Sequence, residues 1–319
     1  MALLEVQNLK KFFPVTKGPL KIVTGYYKAV NDVSFSIEAG ETFGLVGESG
    51  CGKTTVGKSI LRLIEPTEGK VILDGSDITA MNPSELREQR KKMQIIFQDP
   101  YSSLNPRMTV KTLISEPMLE YRMISKAECT DKVAEILKTV GLSPKDMEKY
   151  PHEFSGGQRQ RIMVARALSL QPKLIVCDEP VSALDVSVQA QILNLMQDLQ
   201  ERLGISYLFI AHGMPVVQHV SRRVGVMYLG KLVEVAESEE IFRHCIHPYT
   251  KALLSAIPNP DPDHPNDFNI VKGEVPSLIN TPPGCLFSNR CPYCQAVCRE
   301  RSPELRAVGK DHYAACHCF

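Results

Sequence analysis

The residues best suited to chemistry begin at Gly47-Glu48-Ser49-Gly50-Cys51-Gly52-Lys53-Thr54, a G-x-x-x-x-G-K-[ST] string. It follows an apolar run, Thr42–Val46, and opens a segment of helical spacing over 53–63. Glycines at these positions let backbone N–H groups turn inward around phosphate oxygens, and a helix N-terminus adds partial positive charge. The same pattern assigns Lys53 to the β- and γ-phosphates and the Thr54 hydroxyl to Mg²⁺. A second group, Leu174-Ile175-Val176-Cys177-Asp178-Glu179, is an apolar strand ending in two acids. Beside a phosphate loop, Asp178 is expected to hold the Mg²⁺ shell and Glu179 to polarise an attacking water. Carboxylates at the C-terminal end of a strand lie where open α/β sheets bind ligands.

Such residues need a scaffold. Short continuous apolar runs at 42–46, 174–177 and 207–210 read as strands buried on both faces. Apolar spacing near 3.6 predicts helices over 53–63, 127–140, 158–168 and 188–203, and the alternation implies a layered α/β core. Residues 29–38 alternate instead, as antiparallel strands do. Between Asp99 and Pro151 the composition turns to Pro, Ser, Asn and Met and then to helical segments, which predicts a mostly helical insert. Residues 258–283 are rich in Pro and Asp and read as a linker to a small terminal module. The uncharged stretch 203–221 is expected to be a buried strand at 207–211 running into a loop. It is interrupted by His212, Pro215, Gln218 and His219, and no segment is apolar over the 18 or more residues needed to span a bilayer.

Composition sets the class. Of 319 residues, 43% are apolar and 23% charged, so a disordered or fibrous chain is excluded. Lys and Arg total 37 against 36 acids, a net charge of +1, so no global basic field favours nucleic acid, and no nucleic-acid partner is expected. Residues 1–20 hold no sustained apolar core and no small-residue cleavage site, which points to a reducing cytosol and to cysteines as metal ligands rather than disulfides.

The string Phe154-Ser155-Gly156-Gly157-Gln158-Arg159-Gln160-Arg161 identifies the family. Ser and two Gly before a helix can be a simple N-cap. The longer string, however, resembles the LSGGQ signature of ABC-type ATPases, with Phe154 in place of the common Leu, and its spacing to the other motifs matches. The resemblance implies a P-loop, RecA-like α/β core with an antiparallel β subdomain, a helical insert at about 99–160 and a small Cys-rich C-terminal module. It implies ATP and Mg²⁺ as cofactors. The nucleotide-binding set is then Phe13, Gly47, Gly50, Cys51, Gly52, Lys53, Thr54 and Thr55, with Mg²⁺ at Thr54, Gln98 and Asp178. Glu179, His212 and Gln98 form the catalytic set, Gln98 as the Q-loop glutamine and His212 as the switch histidine. Ser155, Gly156, Gly157 and Gln158 would meet the γ-phosphate of ATP held by another subunit, and Asp185, in Ser182-Ala183-Leu184-Asp185, would lie in the D-loop at the dimer interface. Phe13 is the expected adenine-stacking aromatic, with Phe12 and Tyr27 as rivals. The sequence departs from the family at Gly213, where Asp is usual, which puts any ion pair or capping by that residue in doubt.

The short stretch between Lys53 and Ser155 has no room for the coiled coils of chromosome-maintenance relatives, and a single motif set disfavours tandem-cassette translation factors. Pro100-Tyr101-Ser102-Ser103-Leu104-Asn105-Pro106-Arg107, the segment from His247-Pro248-Tyr249 to Leu254, and the Cys-rich tail resemble the ATP-binding subunits of bacterial dipeptide/oligopeptide and nickel importers. That resemblance covers essentially the whole chain. It implies an ATP-hydrolysing subunit, peripheral on the cytoplasmic face of the membrane, that energises peptide import. A non-identical second cassette and two membrane-spanning permease subunits are its expected partners, with an extracytoplasmic substrate-binding protein acting indirectly. Nickel or another small solute as cargo, and a soluble ATPase without membrane partner, stay open as alternatives. So does a metal-responsive tail with the ATPase as its output. The expected domains are an ATPase domain at 1–245 and a regulatory or metal-cluster module at 246–319.

Cys285, Cys291, Cys294, Cys298, Cys316 and Cys318 crowd a segment with little apolar mass, which is hard to stabilise without a staple. Four thiolates suit zinc or an iron–sulfur cluster, and spacing does not separate the two. The run Cys285, Cys291, Cys298 and Cys316, within GCLFSNRCP, resembles the pattern that holds a [4Fe–4S] cluster in peptide-importer subunits, with Zn²⁺ the alternative. Cys294 and Cys318 are additional to that pattern. Cys51, Cys129, Cys177 and Cys245 are expected to be small buried hydrophobes.

Overall fold

A computed structural model describes residues 2–18, 20–257, 276–279, 281 and 283–319. The expected linker at 258–283 therefore lies mostly outside the described residues. In chain order the elements are β1 (Ala2–Lys17), β2 (Ile22–Glu38), β3 (Thr42–Val46), α1 (Lys53–Ile60), β4 (Glu68–Leu73) and β5 (Ser76–Asp77). Then follow α2 (Pro83–Gln89), β6 (Met93–Ile96), α3 (Pro100–Ser103), α4 (Val110–Glu120), α5 (Cys129–Thr139), α6 (Gly156–Leu168), β7 (Leu174–Asp178) and α7 (Val186–Leu203). The remainder are β8 (Ser206–Ala211), α8 (Met214–Val220), β9 (Arg223–Tyr228), β10 (Lys231–Glu237), α9 (Ser238–His244), α10 (Pro248–Ser255), α11 (Ala296–Glu300), β11 (Arg306–Gly309) and β12 (His312–Ala314). The chain divides into two compact units, Met1–Ala80 with Phe209–Phe319, and Met81–Leu208.

In the first unit β1 and β2 form a long antiparallel hairpin, and β4 and β5 extend it in the order β2-β1-β4-β5. Leu4, Val6 and Leu9 on β1 and Val30, Val33 and Ile37 on β2 are buried, so the alternation read at 29–38 faces a core. A second set runs β11-β12-β10-β9-β3, in which β3 and β9 are parallel and the other pairs antiparallel. All five residues of β3 are buried. A Cβ on its Gly44 would stand 2.2 Å from Val217 Cγ1, so glycine lets α8 pack hard against the strand.

In the second unit β6 and β7 pair in parallel, with β8 next in order, and β7 is buried along its whole length. Helices α3, α4 and α5 and two short 3₁₀ turns fill the stretch where a helical insert was expected. Val110, Leu113, Ile114, Val133 and Leu137 form the buried faces of α4 and α5.

Three expectations change. Helix α1 stops at Ile60 instead of 63, because Arg62 at φ 48° turns the chain left-handed. The loop expected after β8 is instead helix α8, whose Pro215 sits in the first turn, where a missing N–H costs nothing. Cys51, Cys129 and Cys177 are buried as expected, but Cys245 is only half-buried. Among the described residues no helix is long and apolar enough to cross a membrane.

Candidate functional site

In the first unit β3 delivers the chain directly into the glycine-rich loop. Gly47, Gly50 and Gly52 have φ of 151°, 77° and 105°. A Cβ on Gly47 would lie 2.1 Å from the Met227 carbonyl oxygen, and one on Gly52 2.0 Å from that of Ala29. Both obstacles are backbone, so neither position admits a side chain. Helix α1 then starts at Lys53 with no side-chain cap and no acid in its first turn, the condition under which a helix N-terminus attracts an anion. Lys53 is 4% exposed, and its Nζ donates to the carbonyls of Gly47 (2.7 Å) and Glu48 (3.1 Å). Cys51 Sγ lies 3.8 Å from that ammonium, and burial pushes its thiol up. Thr54 and Thr55 occupy the first turn of α1.

Of the three aromatic candidates, Phe13 pairs across the hairpin with Tyr27, and Phe12 with Lys28. The Lys11 ammonium stands 5.0 Å over the Phe13 ring. Tyr27 is the one that reaches the loop: its hydroxyl donates to the Gly50 carbonyl at 3.4 Å and lines a cavity of about 280 Å³ with Glu48, Gly50, Cys51, Tyr228 and Leu278. His212 is exposed just after β8. Gly213 is the N-cap residue of α8 and supplies no side-chain cap, so the capping placed in doubt by the sequence is absent.

In the second unit β7 ends at Asp178, with Glu179 next, both buried. Glu179 has φ 53°, a left-handed conformation that costs a non-glycine residue about 1–3 kcal/mol. It is held there because Ser182 donates to its carbonyl through both N–H and Oγ, and Gln98 Nε2 donates to its carboxylate at 2.8 Å. Two predicted site residues eighty-one positions apart in sequence are thereby joined. Ser155 caps α6: its Oγ accepts from Gln158 N–H (3.4 Å), and Gln158 Oε1 accepts from Ser155 N–H (3.0 Å). A Cβ on Gly157 would stand 2.4 Å from Val188 Cγ1, so glycine is what lets α6 and α7 approach. Asp185 caps α7 through Val188 N–H and accepts from Ser187 Oγ, bonds that hold its carboxyl below the usual carboxylate range.

In the tail, Cys285 N–H donates to the Cys298 carbonyl at 2.7 Å, and a Cβ on Gly284 would meet that same carbonyl oxygen at 2.2 Å. Burial pushes the Cys285 thiol up to about 11, with Cys298, Cys291 and Cys316 adding to the shift. Burial does the same to Cys291, also to about 11, with Cys316, Cys318 and Cys294 nearby. Cys285 and Cys291 thus each have other tail thiols within electrostatic reach. Among the described residues, however, no group of three or more His, Cys, Asp or Glu side chains is arranged to hold a metal ion. The side-chain placements therefore do not fit a cluster or zinc as they stand.

Sequence reasoning missed four supporting residues. Arg159, on α6, donates to the carbonyls of Pro151 and His152 and stacks 4.0 Å over the ring of Tyr101, which is 68% exposed on α3. Tyr249 and Arg290 reach the glycine-rich loop from beyond residue 245, and buried Glu234 accepts from Ile246 N–H, His247 N–H and His312. Tyr249 and Arg290 lie inside strings quoted for their family resemblance. Nothing in the spacing says what they touch.

The comparisons agree with this geometry. Residues 30–182 match the ABC transporter family model, and 233–298 match the C-terminal region of oligopeptide/dipeptide transporters. The oligopeptide transport ATP-binding protein AppF of Bacillus subtilis is 49% identical over 99% of this chain and 97% of its own length. Among solved structures, the dimeric ATP-binding cassette MJ0796, bound to ADP and Pi in a post-hydrolysis state, superposes with a TM-score of 0.65 at 27% identity. The match covers 74% of this chain and 98% of that one. CbiO1 of Clostridium perfringens, part of the cbiONQ transporter complex, shares the fold with a TM-score of 0.66 at 24% identity, over 76% and 91% of the two chains. The chain belongs to the ABC transporter ATP-binding family, in its oligopeptide/dipeptide branch, and is an ATP-hydrolysing protein of that family.

Proposed function

We propose that this chain is the ATPase subunit of a peptide importer, binding ATP at the glycine-rich loop and passing the free energy of hydrolysis to membrane-spanning partners. The observation that carries the nucleotide reading is the loop itself, with two glycines that admit no Cβ and an uncapped helix behind them. The match of 233–298 to the oligopeptide/dipeptide C-terminal region, and the name of the AppF relative, support a peptide as cargo. Lys53, Thr54 and Thr55 hold the phosphates, Gly47, Gly50, Cys51 and Gly52 shape their cradle, and Phe13 stacks on adenine. Thr54, Gln98 and Asp178 are oxygen donors suited to Mg²⁺, which when bound neutralises charge on the β- and γ-oxygens. Glu179 draws a proton from water as that water attacks the γ-phosphorus, and the bond to the ADP oxygen breaks. His212 and Gln98 orient the reacting groups. Ser155, Gly156, Gly157 and Gln158 serve ATP held by a second, non-identical cassette, with Asp185 at that interface. The pair docks on two permease subunits at the cytoplasmic face, and an extracytoplasmic binding protein supplies the cargo. Residues 1–245 form the ATPase domain and 246–319 a regulatory module. For a [4Fe–4S] cluster in that module, or zinc, held by Cys285, Cys291, Cys298 and Cys316, the support is the cysteine spacing alone.

Glu179→Gln should keep ATP binding while lowering turnover by roughly 10²–10⁴-fold. Lys53→Ala should lose binding itself. Equilibrium binding and phosphate release measured on both variants check this, and retained hydrolysis in Glu179→Gln would sink the assigned base. Reconstitution with permease subunits, comparing peptide with Ni²⁺ as cargo, tests the import reading. Iron, sulfide and zinc analysis after anaerobic purification tests the tail.

A further inference from the structure

All three polar groups of Glu48, the residue after the first glycine of the loop, are held. Its carbonyl accepts from Lys53 Nζ at 3.1 Å. Its N–H donates to the hydroxyl of Tyr249, in α10, at 2.8 Å. Its carboxylate takes a two-pronged pair of bonds from Arg290, Nη1 to Oε2 and Nη2 to Oε1, each 3.1 Å. Two of the three holds therefore come from the chain beyond residue 245. The guanidinium is itself well anchored. Nη1 also donates to the Tyr228 hydroxyl at 3.3 Å, and the group sits 5.8–5.9 Å over the rings of Phe287 and Tyr228. Its side chain is only 10% exposed, against 33% for Glu48. Tyr228, Tyr249 and Phe287 pack mutually at centroid distances of 4.6–5.5 Å and fix the platform from which Arg290 and Tyr249 act.

We propose that Arg290 is a positioning residue for the glycine-rich loop, through which the Cys-rich tail sets the affinity of the site for nucleotide. The proposal rests on the nucleotide reading given above. Two physical effects support it. A glycine-rich loop is conformationally permissive, and fixing it before the ligand arrives removes part of the ordering cost of binding. Glu48 also places a negative charge within the loop that must receive a polyphosphate, and the paired guanidinium neutralises it. A bidentate arginine does both, which lysine, a point charge, does not. The tail is thereby wired to the loop by a charged contact that sits one residue before Cys291.

The test is calorimetric titration of the full chain with MgATP, with hydrolysis measured at saturating ATP. Arg290→Ala should weaken MgATP binding roughly tenfold, with the saturated rate changed less than about twofold, because the lost contact acts on loop readiness and charge rather than on the attacking water. Arg290→Lys should fall between it and wild type. Glu48→Gln should weaken binding by only a few fold, and adding it to Arg290→Ala should recover affinity to the Glu48→Gln level, since no unpaired carboxylate then remains. A merely structural anchor predicts the reverse, a double variant at least as weak as Arg290→Ala. That result, or undiminished binding by both Arg290 variants while Lys53→Ala abolishes binding, would overturn the proposal alone. A folded wild-type chain that binds no MgATP, or a Lys53→Ala chain that binds it undiminished, would overturn the nucleotide reading and the proposal with it. Melting curves on every variant establish that the chains compared are folded, and Arg290→Lys, which keeps the charge, carries the test should Arg290→Ala unfold.

Discussion

Helix α1 follows a glycine, helix α6 begins with two, and both are assigned to phosphate, yet their N-termini are built in opposite ways. Helix α1 has no side-chain cap and enters from Gly52 in a left-handed conformation, against a backbone carbonyl that excludes any Cβ. Helix α6 is closed by its own capping box, Ser155 with Gln158. The first site has main chain against its glycines Gly47 and Gly52. The second ties up the Gln158 and Ser155 N–H groups in its own capping box, so its serine must share or exchange a bond to serve a phosphate. A site assembled within one loop can be preorganised in the lone chain, whereas one that completes another subunit's site is better kept quiet until that subunit arrives.

The same substitution at the two termini gives the sharpest contrast. Gly52→Ala forces a Cβ against the Ala29 carbonyl at positive φ and should lower stability by about 2–4 kcal/mol and remove ATP binding. Gly156→Ala places its Cβ 3.5 Å from Leu184 Cδ2, ordinary contact, and should leave stability and ATP binding near wild type while lowering hydrolysis in the assembled pair. Denaturant titration and calorimetry on both variants check this. Equal stability losses would remove the distinction.

A third cap widens the comparison to pH. His247 caps α10, its Nδ1 accepting from Tyr249 N–H, and burial pushes its pKa down to about 3. The unfolded chain takes up that proton near pH 6.5, so the histidine's contribution is complete above that value and is lost as pH falls toward 3. His247→Asn keeps a capping acceptor and should flatten the stability profile in that window, measured by denaturant midpoints from pH 7 to 4. An unchanged slope would show that the proton goes elsewhere.

The smallest effect is expected at Ser155. Ser155→Ala deletes the α6 cap and should cost about 1 kcal/mol, seen as a lowered midpoint, with no change in ATP binding by the isolated chain. Weakened binding there would mean that α6 already contributes to the chain's own nucleotide.

Much of the fold and of the site was legible along the chain. Strand β3 ends where its apolar run ends, β7 reaches its acids, and the serine read as either N-cap or signature does cap α6. These signals are local: a strand, a turn or a cap is decided by residues within a few positions. The helix after β8 departs from the expected loop because Pro215 falls in its first turn, where proline starts a helix. The left-handed Glu179 and the bond from Tyr27 to the Gly50 carbonyl were not legible, because each depends on what packs alongside.

By itself the amino-acid order determined which residues are the candidates for chemistry: glycines before a lysine, acids after an apolar strand, a serine before two glycines. Those patterns are read from composition and spacing, since backbone freedom, charge and capping capacity belong to single residues and their neighbours. Only the tertiary structure decided that Gln98 meets Glu179, that Gly47 and Gly52 face carbonyls leaving no room for a methyl group, and that Arg290 grips Glu48 across 242 positions. Such contacts arise when packing brings distant segments within hydrogen-bonding range, and no local rule encodes which partner a side chain will find.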